Sequence, residues 1–425
     1  MLDRKFVLNN IDLIRRNIAE RRSRPVDLSL LVELEEQYAE KVQELQQLRT
    51  DANAAAKKRS AEASEKGRSL RDRERVLRDE VAMVRGRADD LLRAIPNITH
   101  TDVPIGGEKD SKVIAVSDSV PRTFDFEPKD HVDLASNLGL LDLAAGSKVA
   151  GPGFYFLQGE AVLLEFALQR MVLDRLIAAG FFPQIVPEMA RDEIMSGVGY
   201  APRGDESNSY HIEHDDLNLI ATSEVALCGR YSGEIIPADR LPLKLCGISH
   251  CFRTERSYGR ATRGLFRVHQ FTKVEMVILC LPVDSERMHA ELLDIERSIF
   301  DDLKLPYHVL DIASGDLGAP AYRKFDIEAW MPGRGDGGQF SEVTSASNCL
   351  DYQARRLNIR YQEQGEKRRE YVHTLNATAI AVGRAMIAIF ENYQLADGTI
   401  AVPEVLWPYF GGLTRLTGES IRQPG

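Results

Sequence analysis

A chain of 425 residues with 44% hydrophobic and 28% charged side chains carries enough apolar material for a buried core and too little bias for a disordered or fibrous polymer. No apolar run approaches the roughly 18–20 residues that cross a bilayer, and Met1-Leu2-Asp3-Arg4-Lys5 opens without the pattern of a secretory leader, so a cytoplasmic protein with no membrane partner is expected. The net charge of −10 argues against a general polyanion binder, but it is unevenly spread: the first hundred residues hold a slight excess of Lys and Arg, and the acid lies beyond them. Cys228, Cys246, Cys251, Cys280 and Cys349 form no CxxC pair and read as buried thiols of a reducing compartment.

From about position 29 to 95 the chain has helix chemistry with almost no Pro or Gly. Leu31, Leu34, Tyr38, Val42, Leu45, Leu48, Ala52 and Ala55 recur at steps of three and four. After a polar break running from Lys57-Lys58-Arg59-Ser60 to Gly67, the pattern resumes at Leu77, Val81, Val84, Ala88, Leu91 and Ile95. Two narrow seams joined by a polar turn predict an antiparallel coiled-coil hairpin, each helix about 25–30 residues and roughly 40 Å long. One seam cannot bury a globular core, so such a hairpin either dimerises or projects to grip an elongated partner. Arg22, Arg24, Lys57, Lys58, Arg59, Arg68, Arg71 and Arg73 are its candidate contacts. Pro96-Asn97-Ile98 ends the second helix, giving an N-terminal part over 1–100.

Residues 101–150, rich in Asp, Gly, Ser and Pro, read as a linker with short elements, and a catalytic-sized part follows over 151–425. There, apolar alternation predicts strands near 221–227, 242–248, 273–281 and 324–330, with amphipathic helices near 161–179, 285–303 and 379–392. Strands mixed with helices, without regular βα alternation or a GxGxxG, predict an α+β fold: an antiparallel sheet flanked by helices. No GxxxxGK[ST] is present, so phosphate handling of the P-loop kind is excluded.

The chemistry concentrates in Phe252-Arg253-Thr254-Glu255 and, after a short loop, Arg267-Val268-His269-Gln270-Phe271-Thr272-Lys273-Val274-Glu275. Arg267, Phe271 and Glu275 stand at i, i+4 and i+8, an even spacing that on a strand points side chains to one face. A floor of cations, a flat ring and acids suits ATP and an amino acid. Arginines neutralise phosphates, the ring stacks on adenine, and acids meet amino groups.

Four further segments join this one. A helix and strand over 163–187 precede it, and Asn376-Ala377-Thr378-Ala379-Ile380-Ala381-Val382-Gly383-Arg384 follows it. Thr222-Ser223-Glu224 and Glu342-Val343-Thr344-Ser345-Ala346-Ser347-Asn348 stand between. In this order they resemble the signature motifs of class II aminoacyl-tRNA synthetases, and with the N-terminal hairpin the resemblance is to the seryl-tRNA synthetase family over essentially the whole chain.

The resemblance implies a homodimer that uses ATP and Mg2+ to make seryl adenylate from L-serine and passes serine to tRNA(Ser), with the hairpin embracing the RNA. It implies that Arg253 holds the α-phosphate and the incoming carboxylate and that Arg384 also serves catalysis, covering adenine opposite Phe271 and reaching the γ-phosphate. Arg253, Thr254, Glu255, Arg267, Val268, Phe271, Glu342, Val343, Thr344, Ser345 and Arg384 are the implied ATP site. Thr222, Ser223, Glu224, Arg253, Glu275, Asn376 and Thr378 are the implied serine site, and Glu342 with Ser345 the implied cation ligands. A site that hydrogen-bonds a hydroxyl rejects the analogue lacking it by about 10⁴–10⁵, which would exclude alanine.

The sequence departs from the family pattern in three places. The loop over 256–263, which the resemblance implies meets the acceptor end of the RNA, reads one residue shorter than usual, with Ala261 where an acid is common; Ser341 stands where a basic residue is frequent and Ala346 where cysteine is frequent; and Asn376-Ala377-Thr378-Ala379 replaces the Asn-Gly-Ser-Gly of many relatives, an ordinary variation that keeps a hydroxyl at Thr378. An alternative reading is a paralogue that forms the adenylate but delivers it to a non-tRNA acceptor; a third is a non-enzymatic binding module.

Overall fold

The computed structural model describes residues 1–57, 61–201, 203, 207–255, 263–419 and 421. The chain divides into two compact units, Met1–Ile98 and Thr99–Gly425.

The first unit is helical: α1 (Arg4–Asn9), α2 (Ile11–Glu20), α3 (Leu28–Lys57) and α4 (Ala61–Ala94). Helices α3 and α4 run antiparallel, since ion-pair partners descend along one as they ascend along the other: Glu35 with Arg85, Lys41 with Glu80, and Glu44 with Arg73. Their buried seam comprises Leu31, Leu34, Leu45, Leu48 and Ala55 against Leu77, Val84, Ala88 and Ile95. One position differs from expectation: Leu92 is 1% exposed while Leu91 is only half-buried, so the seam steps by four after Ala88 before stepping by three to Ile95. Nor does the polar break extend to Gly67, because α4 is helical from Ala61; a helix interior tolerates one glycine at about 1 kcal/mol. Lys58 and Arg59 lie outside the described residues, and Arg73 is held by Glu44 at 2.7 Å.

The second unit is built on an eight-stranded sheet. In chain order its strands are β1 (Lys112–Val116), β2 (Phe182–Ile185), β3 (Leu243–Phe252), β4 (Gln270–Cys280), β5 (Tyr307–Asp311), β6 (Arg323–Met331), β7 (Gln339–Asn348) and β8 (His373–Ala381). Their order in space is β1-β5-β6-β7-β8-β4-β3-β2. Every pairing is antiparallel except β2 with β3. Residues 101–150 are not a free connection, because β1 forms one edge of this sheet and α5 (His131–Asn137) packs within the unit.

Helix α8 (Ser285–Asp302) lays Met288, Leu292, Ile295 and Ile299 into the core beneath the sheet, the 3.6-residue stripe of an amphipathic helix. Helix α9 (Val382–Asn392) follows β8 directly and is buried along most of its length. Helix α6 (Glu160–Ala178) buries Leu164, Leu168, Met171 and Val172. The stretch 221–227, expected as a strand, instead leads into a short helix, α7 (Glu224–Gly229); seven residues are too few for periodicity to separate the two states. All five cysteines are free and buried. No helix among the described residues is long and apolar enough to cross a membrane.

Candidate active site

The site lies on one face of the sheet, where β3, β4, β7 and β8 meet the start of α9. Arg253, Glu255, Arg267, Val268, Phe271, Glu342, Val343, Thr344, Thr378 and Arg384 line one cleft. Residues 131 positions apart along the chain, Arg253 and Arg384, thus face one space.

Arg253 follows the end of β3, and its backbone is fixed from both sides. Its N–H donates to the His269 carbonyl at 2.9 Å, and its own carbonyl lies 2.8 Å from His269 Nδ1. Its guanidinium stands 5.2 Å from the centroid of the Phe271 ring. Burial acts to lower the Arg253 pKa, but Tyr200, Cys251, Glu342 and Glu255 outweigh it and hold the cation firmly charged. Arg267 does not share a strand with Phe271 and Glu275 as its spacing implied, since β4 begins only at Gln270. Arg267 reaches the cleft from the preceding turn and donates to Glu255 at 2.7 Å.

Alternation along β4 also brings Lys273 to the same face, between Phe271 and Glu275. Lys273 was not among the expected site residues, although the period-2 pattern already carried the signal. It is 5% exposed, forms an ion pair with the 1%-exposed Glu275, and lies 3.5 Å from Thr378 Oγ1. Thr378, opposite Glu275 across the β8–β4 pair, donates to Glu275 Oε2 at 3.2 Å. Glu275 is not itself among the residues lining the cleft, but Lys273 and Thr378, both in contact with it, are.

The segment Thr222-Ser223-Glu224 meets the neighbouring strand beside this acid, and Glu224 feels its charge. Gly247 is the partner of Glu275 across the β3–β4 pair, and a Cβ added there would meet Ser223 at 2.9 Å. The glycine therefore lets the start of α7 approach the sheet, and Ser223 donates to the Gly247 carbonyl at 3.1 Å. Glu224 accepts from Gln353 at 2.7 Å. Its carboxyl is pushed up to about 7, first by burial and then by the charge of Glu275. Asn376 sits two positions from Thr378 on β8, within reach of Cys349 Sγ at 3.9 Å, and lies outside the cleft lining. Thr254 is likewise off the cleft, its N–H bonded to the Asn208 carbonyl at 2.9 Å.

Glu342 and Ser345 are three apart, so on a regular strand they would face opposite ways. A register shift in the β6–β7 pair inserts one residue between them. Ser345 therefore pairs with Asp326 and Glu342 with Glu328, on one face. Glu342 is 3.1 Å from Arg384. Burial acts to raise its carboxyl, but Arg384, Lys324 and Arg253 hold it below the ordinary range. Asp326 is pushed up to about 6 and Glu328 to about 7, each chiefly by burial. Asp326 Oδ1 is buried without a hydrogen-bond partner.

Hard oxygen donors in surplus, one of them unsatisfied, fit a divalent cation of the Mg2+ type. Among the described residues no three His, Cys, Asp or Glu groups converge to hold an ion alone. That agrees with a cation that takes one or two protein ligands and completes its shell with phosphates and water.

Arg384 lies over the ring of Phe266, 4.8 Å from its centroid. The loop over 256–262, expected to meet the RNA acceptor end, lies outside the described residues.

Comparison with known proteins agrees with this geometry. A family model of the tRNA synthetase class II core domain (G, H, P, S and T) matches residues 209–393, and the seryl-tRNA synthetase N-terminal domain matches residues 1–99. An antiparallel sheet carrying this cleft and matching that core defines a class II aminoacyl-tRNA synthetase. The serine–tRNA ligase of Rhodopirellula baltica is 48% identical over 97% of this chain and 98% of its own, and that of Dictyoglomus thermophilum is 49% identical over 97% and 98%. The crystal structure of seryl-tRNA synthetase from Pyrococcus horikoshii complexed with ATP superposes with a TM-score of 0.90 at 38% identity, covering 98% of this chain and 99% of that one. The cytoplasmic serine–tRNA ligase of Naegleria fowleri in complex with AMP superposes with a TM-score of 0.85 at 32% identity, covering 97% of each. The chain belongs to the seryl-tRNA synthetase family.

Proposed function

We propose that this protein activates L-serine with ATP and transfers it to the 3′ end of tRNA(Ser). The observation that carries the reading is that Phe271, Glu342 and Arg384, distant in sequence, share one cleft with Arg253.

In the first step a serine carboxylate oxygen bonds to the α-phosphorus while the bond from that phosphorus to the β-bridging oxygen breaks. Its electron pair leaves with pyrophosphate. No protein nucleophile is needed, so the catalytic power is placement and charge stabilisation. Arg253 holds the carboxylate and α-phosphate together, and Arg267 and Arg384 take the outer phosphates. Phe271 stacks on adenine, whose amino group donates to Glu255. Backbone at Thr254, Val268, Val343 and Thr344 shapes the nucleotide's bed. Mg2+ held by Glu342 and Ser345 would neutralise phosphate charge.

Glu275 and Glu224 meet the serine ammonium, with Thr222, Ser223, Asn376 and Thr378 shaping the hydroxyl pocket. In the second step a terminal ribose hydroxyl of the RNA attacks the activated carbonyl and AMP leaves. The helical unit over 1–100 grips the RNA, and 151–425 is the catalytic part of a cytoplasmic enzyme.

The test is serine-dependent pyrophosphate exchange, followed by charging of total tRNA. Exchange with alanine equal to that with serine defeats the substrate assignment. Exchange without RNA acylation favours delivery of the adenylate to another acceptor.

The titration of Glu224 carries a prediction. Its carboxyl is raised above the ordinary value, so ionising it between roughly pH 5 and 7 costs folding stability. The same ionisation creates the anion that an ammonium needs. The KM for serine is therefore expected to fall as pH rises through about 7, and Glu224→Gln is expected to flatten that profile. A wild-type KM independent of pH from 6 to 8 contradicts it.

Dimerisation has its own support. Phe166 (63% exposed) and Ile177 (51%) on α6, with Phe182 (62%) and Ile185 (90%) on the edge strand β2, leave apolar surface uncovered. A second copy of this chain is the occupant that a homodimer supplies. Ile185→Asp is expected to shift sedimentation from dimer to monomer; a wild-type monomer at micromolar concentration defeats the assignment.

A further inference from the structure

His131 opens α5, is buried, and lines a cavity separate from the nucleotide cleft. Its two ring nitrogens have different partners. The Leu265 N–H donates to Nε2 at 3.2 Å. A backbone N–H can only donate, so Nε2 carries the lone pair and the ring proton sits on Nδ1. Nδ1 then donates to Glu391 Oε1 at 2.9 Å. The fully buried Glu391 carboxylate also accepts the His131 N–H at 3.1 Å and the Gly333 N–H at 2.8 Å. An acid that fixes the proton on one ring nitrogen aims the lone pair of the other.

Both sides of the Leu265–His131 contact are held in place. Gln394, just past α9, accepts from the Lys129 N–H at 2.8 Å and donates to the Lys129 carbonyl at 3.1 Å, which ties down the lead into α5. On the other side Gly264 has φ +71°, and a Cβ there would meet His131 Nε2 at 2.2 Å and Val132 at 2.4 Å. Glycine alone lets the backbone come this close to the ring in this conformation. Arg263 adds ion pairs to Asp130 and, at 2.9 Å, to Asp133.

The residues that follow this contact face the nucleotide. Leu265, Phe266 and Arg267 are consecutive, and all three line the cleft. Phe266 carries Arg384 over its ring at 4.8 Å, and Arg267 donates to Glu255 at 2.7 Å. The amino-acid side is held by other means, since Lys273, Glu275 and Thr378 are tied to one another across the β8–β4 pair.

We propose that His131, from outside the cleft, is a positioning residue for ATP: oriented by Glu391, it fixes the Leu265 N–H and so places Phe266 and Arg267 against the nucleotide. The assignment rests on the function proposed above. It predicts that breaking the bond to Leu265 harms ATP binding, whereas breaking the bond to Glu391 chiefly harms stability.

The test compares wild type with His131→Asn and His131→Gln, reading the KM for ATP, the KM for serine and the melting temperature. Asparagine keeps a donor near the Nδ1 position for Glu391 but ends short of Leu265. It is expected to raise the KM for ATP about 10-fold, as for a buried donor left without its acceptor, with the KM for serine unchanged. Glutamine reaches the Nε2 position with an oxygen and gives up Glu391. It is expected to recover most of the ATP loss while melting lower than wild type. A KM for ATP that tracks the melting temperature in both variants, or a matching rise in the KM for serine, marks a purely structural histidine and overturns the proposal. An unchanged KM for ATP in folded His131→Asn removes it. Hydrogen exchange needs no variant: the wild-type Leu265 amide is expected to be protected before ATP is added, and free exchange there equally overturns the assignment. Failure of the wild-type protein to bind ATP would instead strike the proposed function, so the two failures are distinguishable.

Discussion

Arg253→Ala is expected to lower the rate of adenylate formation by at least about 10²–10³, the cost of removing one preorganised charge stabiliser. The substitution leaves the local fold in place. Both backbone groups of Arg253 stay bonded to His269, and the two acids that share its charge keep other partners: Glu255 keeps Arg267 at 2.7 Å and Glu342 keeps Arg384 at 3.1 Å. The loss is therefore expected in the chemical step rather than in thermal stability. Arg253→Lys should restore little, because a lysine neither forks across carboxylate and phosphate nor stacks on Phe271 as the guanidinium does at 5.2 Å. Single-turnover formation of labelled adenylate, with a melting curve of the same sample, measures both quantities. Activity within threefold of wild type in a folded Arg253→Ala protein would remove Arg253 from the catalytic role.

Lys273→Met is expected to destabilise the catalytic unit by about 3–5 kcal/mol, because it strands a buried carboxylate. Glu275 is 1% exposed and would keep only the neutral Thr378 hydroxyl, at 3.2 Å, in place of a cation. Glu224 adds to the strain, since its own carboxyl is already pushed up to about 7, burial first and the charge of Glu275 next. A second substitution separates stability from function. Lys273→Met with Glu275→Gln removes both charges and should recover most of the lost stability, since replacing both members of a buried pair is often close to neutral. It should not recover serine activation, because the anion facing the substrate ammonium is gone. Urea unfolding of the single and double variants, paired with exchange assays, tests this. Stability lost equally in both variants would mean that packing of the lysine stem, not the charge pair, holds this floor together.

Much of this site was readable from residue types in order. Phe271 and Glu275 lie on one strand face because period-2 alternation is local, and the hairpin seam follows because steps of three and four are local too. Where local rules are ambiguous the reading slipped. The run over 221–227 leads into a helix, Leu92 replaces Leu91 in the seam, and Arg267 enters from a turn rather than from the strand. Lys273 shows a different kind of miss. The alternation placed it beside Glu275, but an isolated lysine between two expected site residues carries no mark that it is buried and paired.

Residue order alone sufficed for the family, the order of the motifs and the chemical inventory of the cleft, because covalent order and side-chain identity are all that those require. Which of these groups meet depends on the packed fold. The extra residue in the β6–β7 register turns Glu342 and Ser345 to the same face. The bare backbone of Gly247 admits Ser223 beside Glu275, and a pinned turn carries Arg334 onto the ring of Phe266. Each of these is a contact between segments far apart in the chain, and such contacts are set by strand register and close packing, which no local pattern of residues encodes.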